Sequence, residues 1–248
     1  MVESTTAKDR PHAVASWEAN GGQSLGFDVL QRLERAYECF ERIGREFHSR
    51  GWVLGTSGNF SAIVSRTPLR LAITVTGVDK GSLSPADVVL VDGQGTTVAG
   101  SGAPSGEMQL HRAILGATYA GAVLHTHSVW ATVLSDRVGA GGAVEFAGQE
   151  MLKGLSGVST HLHRERLPVI ENSQDMDVLC AGAEEELARH PSAHGMLICR
   201  HGLYAWGADV AAAKRTVESL EFLLEVSGRT DRPGATGGRG EELTPWLC

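Results

Sequence analysis

Histidines 125 and 127 stand two residues apart in GAVLHTHSVWATVL (residues 121–134), an otherwise apolar run. Side chains two apart on a strand share a face, so both imidazoles can converge on one point. Left unpartnered in a dry strand, each would cost about 1–3 kcal/mol, which favours a shared ligand. An H-x-H pair supplies two of the three protein ligands that a mononuclear catalytic zinc uses. The third can come from His111, His161, His163, His194 or His201. CRHGLYAWG favours His201, set where a strand ends and beside a glycine that permits close approach.

A second chemistry is suggested by three turns rich in Gly, Ser and Thr: GTSGNFS (55–61), TVTGVDKGSLS (74–84) and GAPSGE (102–107). Backbone amides, hydroxyls and a lysine in such turns make a cradle for phosphate, so the three together favour a small phosphorylated ligand. None has the G-x-x-x-x-G-K-[ST] spacing of the nucleotide loop. Two carboxylates are candidates for acid/base work: Glu107 behind the PSG turn and Glu150 in QEMLKGL. A helix dipole also favours a glutamate at a helix start, so the local pattern ranks neither.

These groups need a scaffold to hold them. Val29, Leu30, Leu33, Tyr37, Phe40, Ile43 and Phe47 recur at helical spacing and predict a helix from an Asp28 N-cap to a Gly51 stop. Short strand-like runs follow at 60–65, 71–77, 87–93 and 96–100. A helix is expected within 102–115, a buried strand at 121–127 with a helix at 128–136, and a helix from Ser173 or Asp175 to about His190. GMLIC (195–199) reads as a strand, and a last helix runs from Asp209 to about Ser227. STHLHRERLPVIENSQDM reads as a histidine-rich loop. Consecutive strands without intervening helices argue for a mixed sheet between helices rather than a regular βαβ array. The expected organisation is a polar arm (1–24), one catalytic domain (25–227) and a Gly-rich tail (228–248).

The 248 residues are 42% hydrophobic and 21% charged, an ordinary globular composition. A net charge of −7 argues against a nucleic-acid or anionic-membrane surface. No apolar run is long enough to span a bilayer, and the first residues lack a signal-peptide core. Cysteines 39, 180, 199 and 248 have no framework spacing and read as reduced thiols, which points to the cytoplasm.

Taken together, GTSGNFS, TVTG, PSGE, HTH and the late CRHG occur in the order of the class II (zinc-dependent) aldolase/adducin-head family, which residues 28–227 resemble. The longer segments HTHSVWATVLS, QEMLKGL, THLHRERLPVIENSQDM and RHGLYAWG resemble that family's dehydratases of a methylthio-substituted ketose phosphate. The resemblance implies an α/β/α sandwich around a mixed, largely antiparallel sheet, one Zn²⁺ per subunit on His125, His127 and His201, and tetramers with active sites between subunits. It implies a phosphate site at Ser57, Gly58, Asn59, Thr76, Gly77 and Ser105, with Lys80 close by. Glu150 takes the catalytic acid/base role in the dehydratases, and Glu107 takes it in the sugar-phosphate aldolases. The alternatives are an aldolase or epimerase of a sugar phosphate, or a non-catalytic scaffold like the adducin head. Trp130 and Met151 are expected in the core, with a methylthio-binding wall as their second reading.

Overall fold

The computed structural model describes Trp17 and residues 25–230. The sequence's polar arm, apart from Trp17 itself, and its tail beyond Thr230 lie outside the described residues, as does Cys248. The chain opens with helix α1 (Phe27–Ser49), whose buried stripe is Leu33, Ala36, Phe40, Ile43, Gly44 and Phe47. The N-cap is Gly26 rather than Asp28; Asp28 falls inside the first turn, where its charge complements the exposed amides. Strands β1 (Asn59–Arg66), β2 (Leu69–Thr74), β3 (Val88–Asp92) and β4 (Thr97–Ala99) follow as an antiparallel meander.

Helix α2 (Met108–Thr118) leads to β5 (Ala122–Thr126), α3 (Val129–Val138) and β6 (Ala143–Ala147). A short 3₁₀ turn (Glu150–Gly154), β7 (Arg164–Ile170), α4 (Met176–Arg189), β8 (Gly195–Ile198), β9 (Gly202–Gly207) and α5 (Val210–Thr230) complete the described residues. Asp175 is the N-cap of α4, its carboxylate accepting from the amides of Asp177 and Val178. Helix α5 continues to Thr230, past the expected Ser227.

The nine strands form one sheet in the order β4-β3-β2-β1-β5-β9-β8-β7-β6. Every pairing is antiparallel except β7 with β8. Helices cover both faces, α1, α3 and α5 on one and α2 and α4 on the other, which is the expected sandwich. Central strands are buried on both sides, so successive residues feed different cores: Val88 and Leu90 join one, Val89 and Val91 the other. The same alternation along β5 sends Leu124 toward the α5 layer and Val123 toward the α2 layer. His125 follows Val123, and Thr126 follows Leu124.

Strands β6, β7 and β9 are absent from the sequence reading. The expected loop becomes β7 because its charges alternate: Arg164 and Arg166 face solvent while Glu165 points inward. A buried carboxylate reads as loop until its partners are known. The continuation RHGLYAWG forms β9, and the tight turn before it is made by Arg200 in the left-handed region (φ 57°).

Candidate metal centre and its phosphate turns

β5 pairs with both β1 and β9, and all three end at one place. His125 is opposite Asn59 on one side and Tyr204 on the other. His127 lies one residue past the strand, its amide donating to the Trp52 carbonyl at 2.7 Å. His201 arrives through the Arg200 turn, which is held by the Arg200 amide on Ser135 Oγ (3.0 Å) and by the guanidinium on Asp136 (2.6 Å). Two glycines let the backbones meet. A Cβ on Gly58 would stand 2.6 Å from the His125 carbonyl oxygen, and one on Gly202 would stand 2.1 Å from that of Thr126.

The three Nε2 atoms converge: His125–His127 2.8 Å, His127–His201 3.1 Å and His125–His201 3.3 Å. Each nitrogen carries either a proton or a lone pair, so among three at least two are alike and repel. His125 is fixed further, since its Nδ1–H donates to the Leu203 carbonyl (3.0 Å) and leaves Nε2 with the lone pair. Burial pushes His125 well below the usual imidazole range and His127 down to about 4, so both are neutral at neutral pH. Three imidazole nitrogens aimed at one point fit a divalent ion, which accepts all three lone pairs and removes the repulsion.

Glu107 stands beside this triad, Oε2 3.5 Å from His125 Nε2 and Oε1 3.4 Å from His201 Nε2. Burial alone would raise its pKa; the facing imidazoles and the Asn59 hydrogen bond (Nδ2–Oε2 2.7 Å) hold it down at about 2. Behind it runs a relay that sequence reading missed. Asn59 Oδ1 accepts from His111 Nε2, and His111 Nδ1 accepts from Ser61 Oγ at 2.7 Å. Both His111 nitrogens are therefore committed, which removes it from the ligand candidates. The 107/111 spacing on α2, one helical turn, was the available signal. Tyr204 stacks on His125 (centroids 3.9 Å, 13° between planes) with its hydroxyl buried and without a well-formed hydrogen bond. That contact depends on strand register, which the sequence does not display.

The three phosphate turns line one cavity of about 290 Å³ that His127 and His201 of the triad also border, with His125 buried behind them. Ser57, Gly58, Asn59, Thr76, Gly77, Lys80 and Ser105 all border it, together with Glu107, His127 and His201. The PSG turn is fastened to the end of β2 by Thr76 N–H to the Ala103 carbonyl and Ser105 N–H to the Thr74 carbonyl, both 3.1 Å. Lys80 is 1% exposed, and burial lowers it to about 8. Its ammonium donates to the carbonyls of Thr56 (3.0 Å) and Val78 (2.7 Å), leaving one N–H for a ligand. Larger hollows of about 670 and 550 Å³ exist elsewhere, and no triad residue lines either.

Glu150 is not brought to this cavity. Its side chain is 69% exposed and pairs with Lys153 at 2.8 Å on the 3₁₀ turn. The carboxylate that one chain brings to the triad is Glu107. Trp130 and Met151 pack against the core, with the Gly228 backbone lying on the Trp130 ring. His163 and His194 belong to a separate cluster around Glu165.

Comparison with known proteins agrees with this architecture. The family described as Class II Aldolase and Adducin N-terminal domain matches residues 40–227. A methylthioribulose-1-phosphate dehydratase of Marinobacter nauticus is 42% identical over 207 residues, 83% of this chain and 98% of that protein. Its counterpart in Methylococcus capsulatus is 45% identical over 196 residues, covering 79% and 93%. Among solved structures, L-fuculose-1-phosphate aldolase of Thermus thermophilus superposes with a TM-score of 0.62 at 23% identity, over 79% of this chain and 94% of that one. With the family match spanning well over half of the chain and both relatives aligned over most of either length, the chain belongs to the class II aldolase and adducin N-terminal domain family.

Proposed function

We propose that this protein is a hydro-lyase that removes water from 5-methylthioribulose 1-phosphate, giving 2,3-diketo-5-methylthiopentyl 1-phosphate in methionine salvage. Relatives 42% and 45% identical over most of both chains bear the name of that dehydratase. The observation that carries the chemistry is the cavity itself: two of the three convergent imidazoles, one ionised carboxylate and three Gly/Ser/Thr turns share it.

His125, His127 and His201 would hold the ion, assigned as Zn²⁺, one per subunit. Bound there, it supplies Lewis acidity to the C2 carbonyl oxygen and so acidifies the C3 hydrogen. Ser57, Gly58, Asn59, Thr76, Gly77 and Ser105, with the remaining Lys80 N–H, anchor the phosphate end and present C3 to the base. A carboxylate takes the C3 proton and returns it to the C4 hydroxyl, which leaves as water with its bonding electrons; the enol then tautomerises to the diketone. Within one chain the geometry supports Glu107 for this shuttle. Asn59 holds one of its oxygens, and the His111–Ser61 relay holds Asn59.

Glu150 is exposed, so it can serve only a site beyond its own chain's cavity. Its role therefore rests on assembly as a homotetramer with active sites between subunits. Glu107 beside the triad also supports a second reading, aldol cleavage of a sugar phosphate, because the family resemblance assigns that glutamate to the aldolases. No described helix is long and apolar enough to cross a membrane, and the proposed setting is the cytoplasm.

Mass spectrometry of the products of zinc-loaded protein separates the two reactions: loss of water supports dehydration, and two carbon fragments would replace it with aldol cleavage. Glu107→Gln is expected to lower kcat by about 100- to 10,000-fold with metal content retained. Mixing Glu150→Gln with His127→Ala protein tests the neighbouring-subunit role. Partial recovery of turnover in mixed oligomers assigns Glu150 to the partner's site; a fully active Glu150→Gln enzyme removes it from the mechanism.

A further inference from the structure

The histidine-rich segment 159–176 has no part in the cavity described above, yet it contributes to the second convergent cluster of the described residues. His163, just before β7, brings Nε2 to 2.8 Å from Glu165 Oε2. His194, just before β8, brings Nδ1 to 2.9 Å from the same oxygen. The three ligand atoms lie within 4.8 Å of one another. The parallel pairing of β7 with β8 sets the two strand starts side by side, which makes this convergence a product of topology rather than of a flexible loop.

Each group is oriented from behind. Glu165 is 2% exposed, and its second oxygen accepts from the His194 backbone amide at 3.0 Å. His194 Nε2 donates to the Ser156 carbonyl at 2.8 Å. That bond commits the proton of a neutral imidazole to Nε2 and turns the Nδ1 lone pair toward Glu165. A lone pair 2.9 Å from a carboxylate oxygen is repelled by it, so that gap holds a cation: a second ring proton in the metal-free protein, or a metal ion that displaces it. His163 is 29% exposed, so the cluster opens to solvent on one side.

We propose that His163, Glu165 and His194 form a second divalent-metal site, separate from the His125–His127–His201 triad and selective for borderline ions such as Zn²⁺ or Co²⁺. Two imidazoles and one carboxylate are the N,N,O set that such ions take, with water completing the shell on the His163 side. The ion ties the start of β7 to the start of β8. Through Ser156 it also steadies the turn that follows Glu150–Gly154.

The test uses tag-free full-length protein stripped with chelator, titrated with Zn²⁺ and then Co²⁺, with bound metal counted by elemental analysis. Wild type is expected to bind about two equivalents, and His127→Ala with His201→Ala about one. Adding Glu165→Gln or His163→Ala to that background should abolish the remaining equivalent and its Co²⁺ absorption. His163→Ala changes a partly exposed ring and guards against a folding failure at Glu165, with circular dichroism confirming the fold. Absence of stoichiometric binding in the triad double variant would overturn the site and leave a proton-held His–Glu cluster. Binding that survives both cluster variants would also overturn it, since the ion would then sit elsewhere. If the triad reading failed while this one held, wild type would bind one equivalent, lost in His163→Ala and kept in His127→Ala.

Discussion

At the triad, three imidazoles face one another with the Glu107 carboxylate set to one side, 3.4–3.5 Å away. At the β7–β8 cluster, two imidazoles face a carboxylate oxygen that lies between them at 2.8 and 2.9 Å. The same residue type is driven in opposite directions. Burial and the neighbouring imidazoles lower His125 and His127, whereas at His194 the Glu165 carboxylate overcomes burial and raises the imidazole pKa. Glu165 is itself lowered: burial opposes its ionisation and the two histidines outweigh that. A histidine's chemistry here follows from which charge stands at hydrogen-bond distance, a property of neighbours rather than of the residue.

The sharpest way to break this comparison is to remove one nitrogen from the triad. His127→Ala is expected to lose the triad metal and to lower turnover by about 1000-fold, or ~4 kcal/mol in the barrier. Metal content and kcat are measured together. Full metal content at the triad with turnover lost would separate His127 from the ligand set.

Stability against pH sharpens the contrast next. In the metal-free protein the His194–Glu165 pair stabilises the fold most between about pH 4.5 and 6.5. Below that window the lowered Glu165 takes up a proton, and above it the raised His194 loses one. His127, lowered to about 4, acts in the other sense: the unfolded chain binds the proton first, so stability falls as pH drops from 6.5 toward 4. His194→Ala leaves Glu165 buried with His163 alone and should cost about 3 kcal/mol near pH 6. Denaturant melts across pH measure it; a constant loss from about pH 4 to 9 would contradict the ion-pair account.

A third buried carboxylate extends the comparison. Glu221 on α5 lies on the other side of β5, accepting the Thr126 hydroxyl at 2.6 Å. Burial, reinforced by the charge of Glu225, raises it to about 7 against the hydrogen bonds of Ser128 and Thr126. Its folded-state pKa exceeds the unfolded 4.5, so its contribution is complete below pH 4.5 and lost as pH rises toward 7. Glu221→Gln removes this titration. The stability difference from wild type should shift toward the variant by up to about 3 kcal/mol across that window. An unchanged difference from about pH 4.5 to 8 would show Glu221 ionised throughout.

Much of the site was legible in the residues. The H-x-H spacing puts His125 on a buried strand and His127 one residue past its end, and the two rings lie 4.5 Å apart. The Gly/Ser/Thr turns border one cavity because each ends an element at the same edge of the sheet. Element types along α1, β1–β5, α4 and α5 followed from apolar periodicity and capping. Strand β7 did not, because Glu165 breaks the apolar pattern and is tolerated inside only with two imidazoles against it.

By itself, then, the sequence determined most element types, the ligand types and the spacing that makes two histidines act as one group. Those are local properties, set by backbone periodicity within a few residues. The sequence already favoured His201 as the third ligand; the tertiary structure alone decided that both His111 nitrogens are committed elsewhere, and that Glu107 rather than Glu150 faces the triad in one chain. Both choices depend on strand register and on which element ends lie side by side, distances that the linear order of residues does not contain.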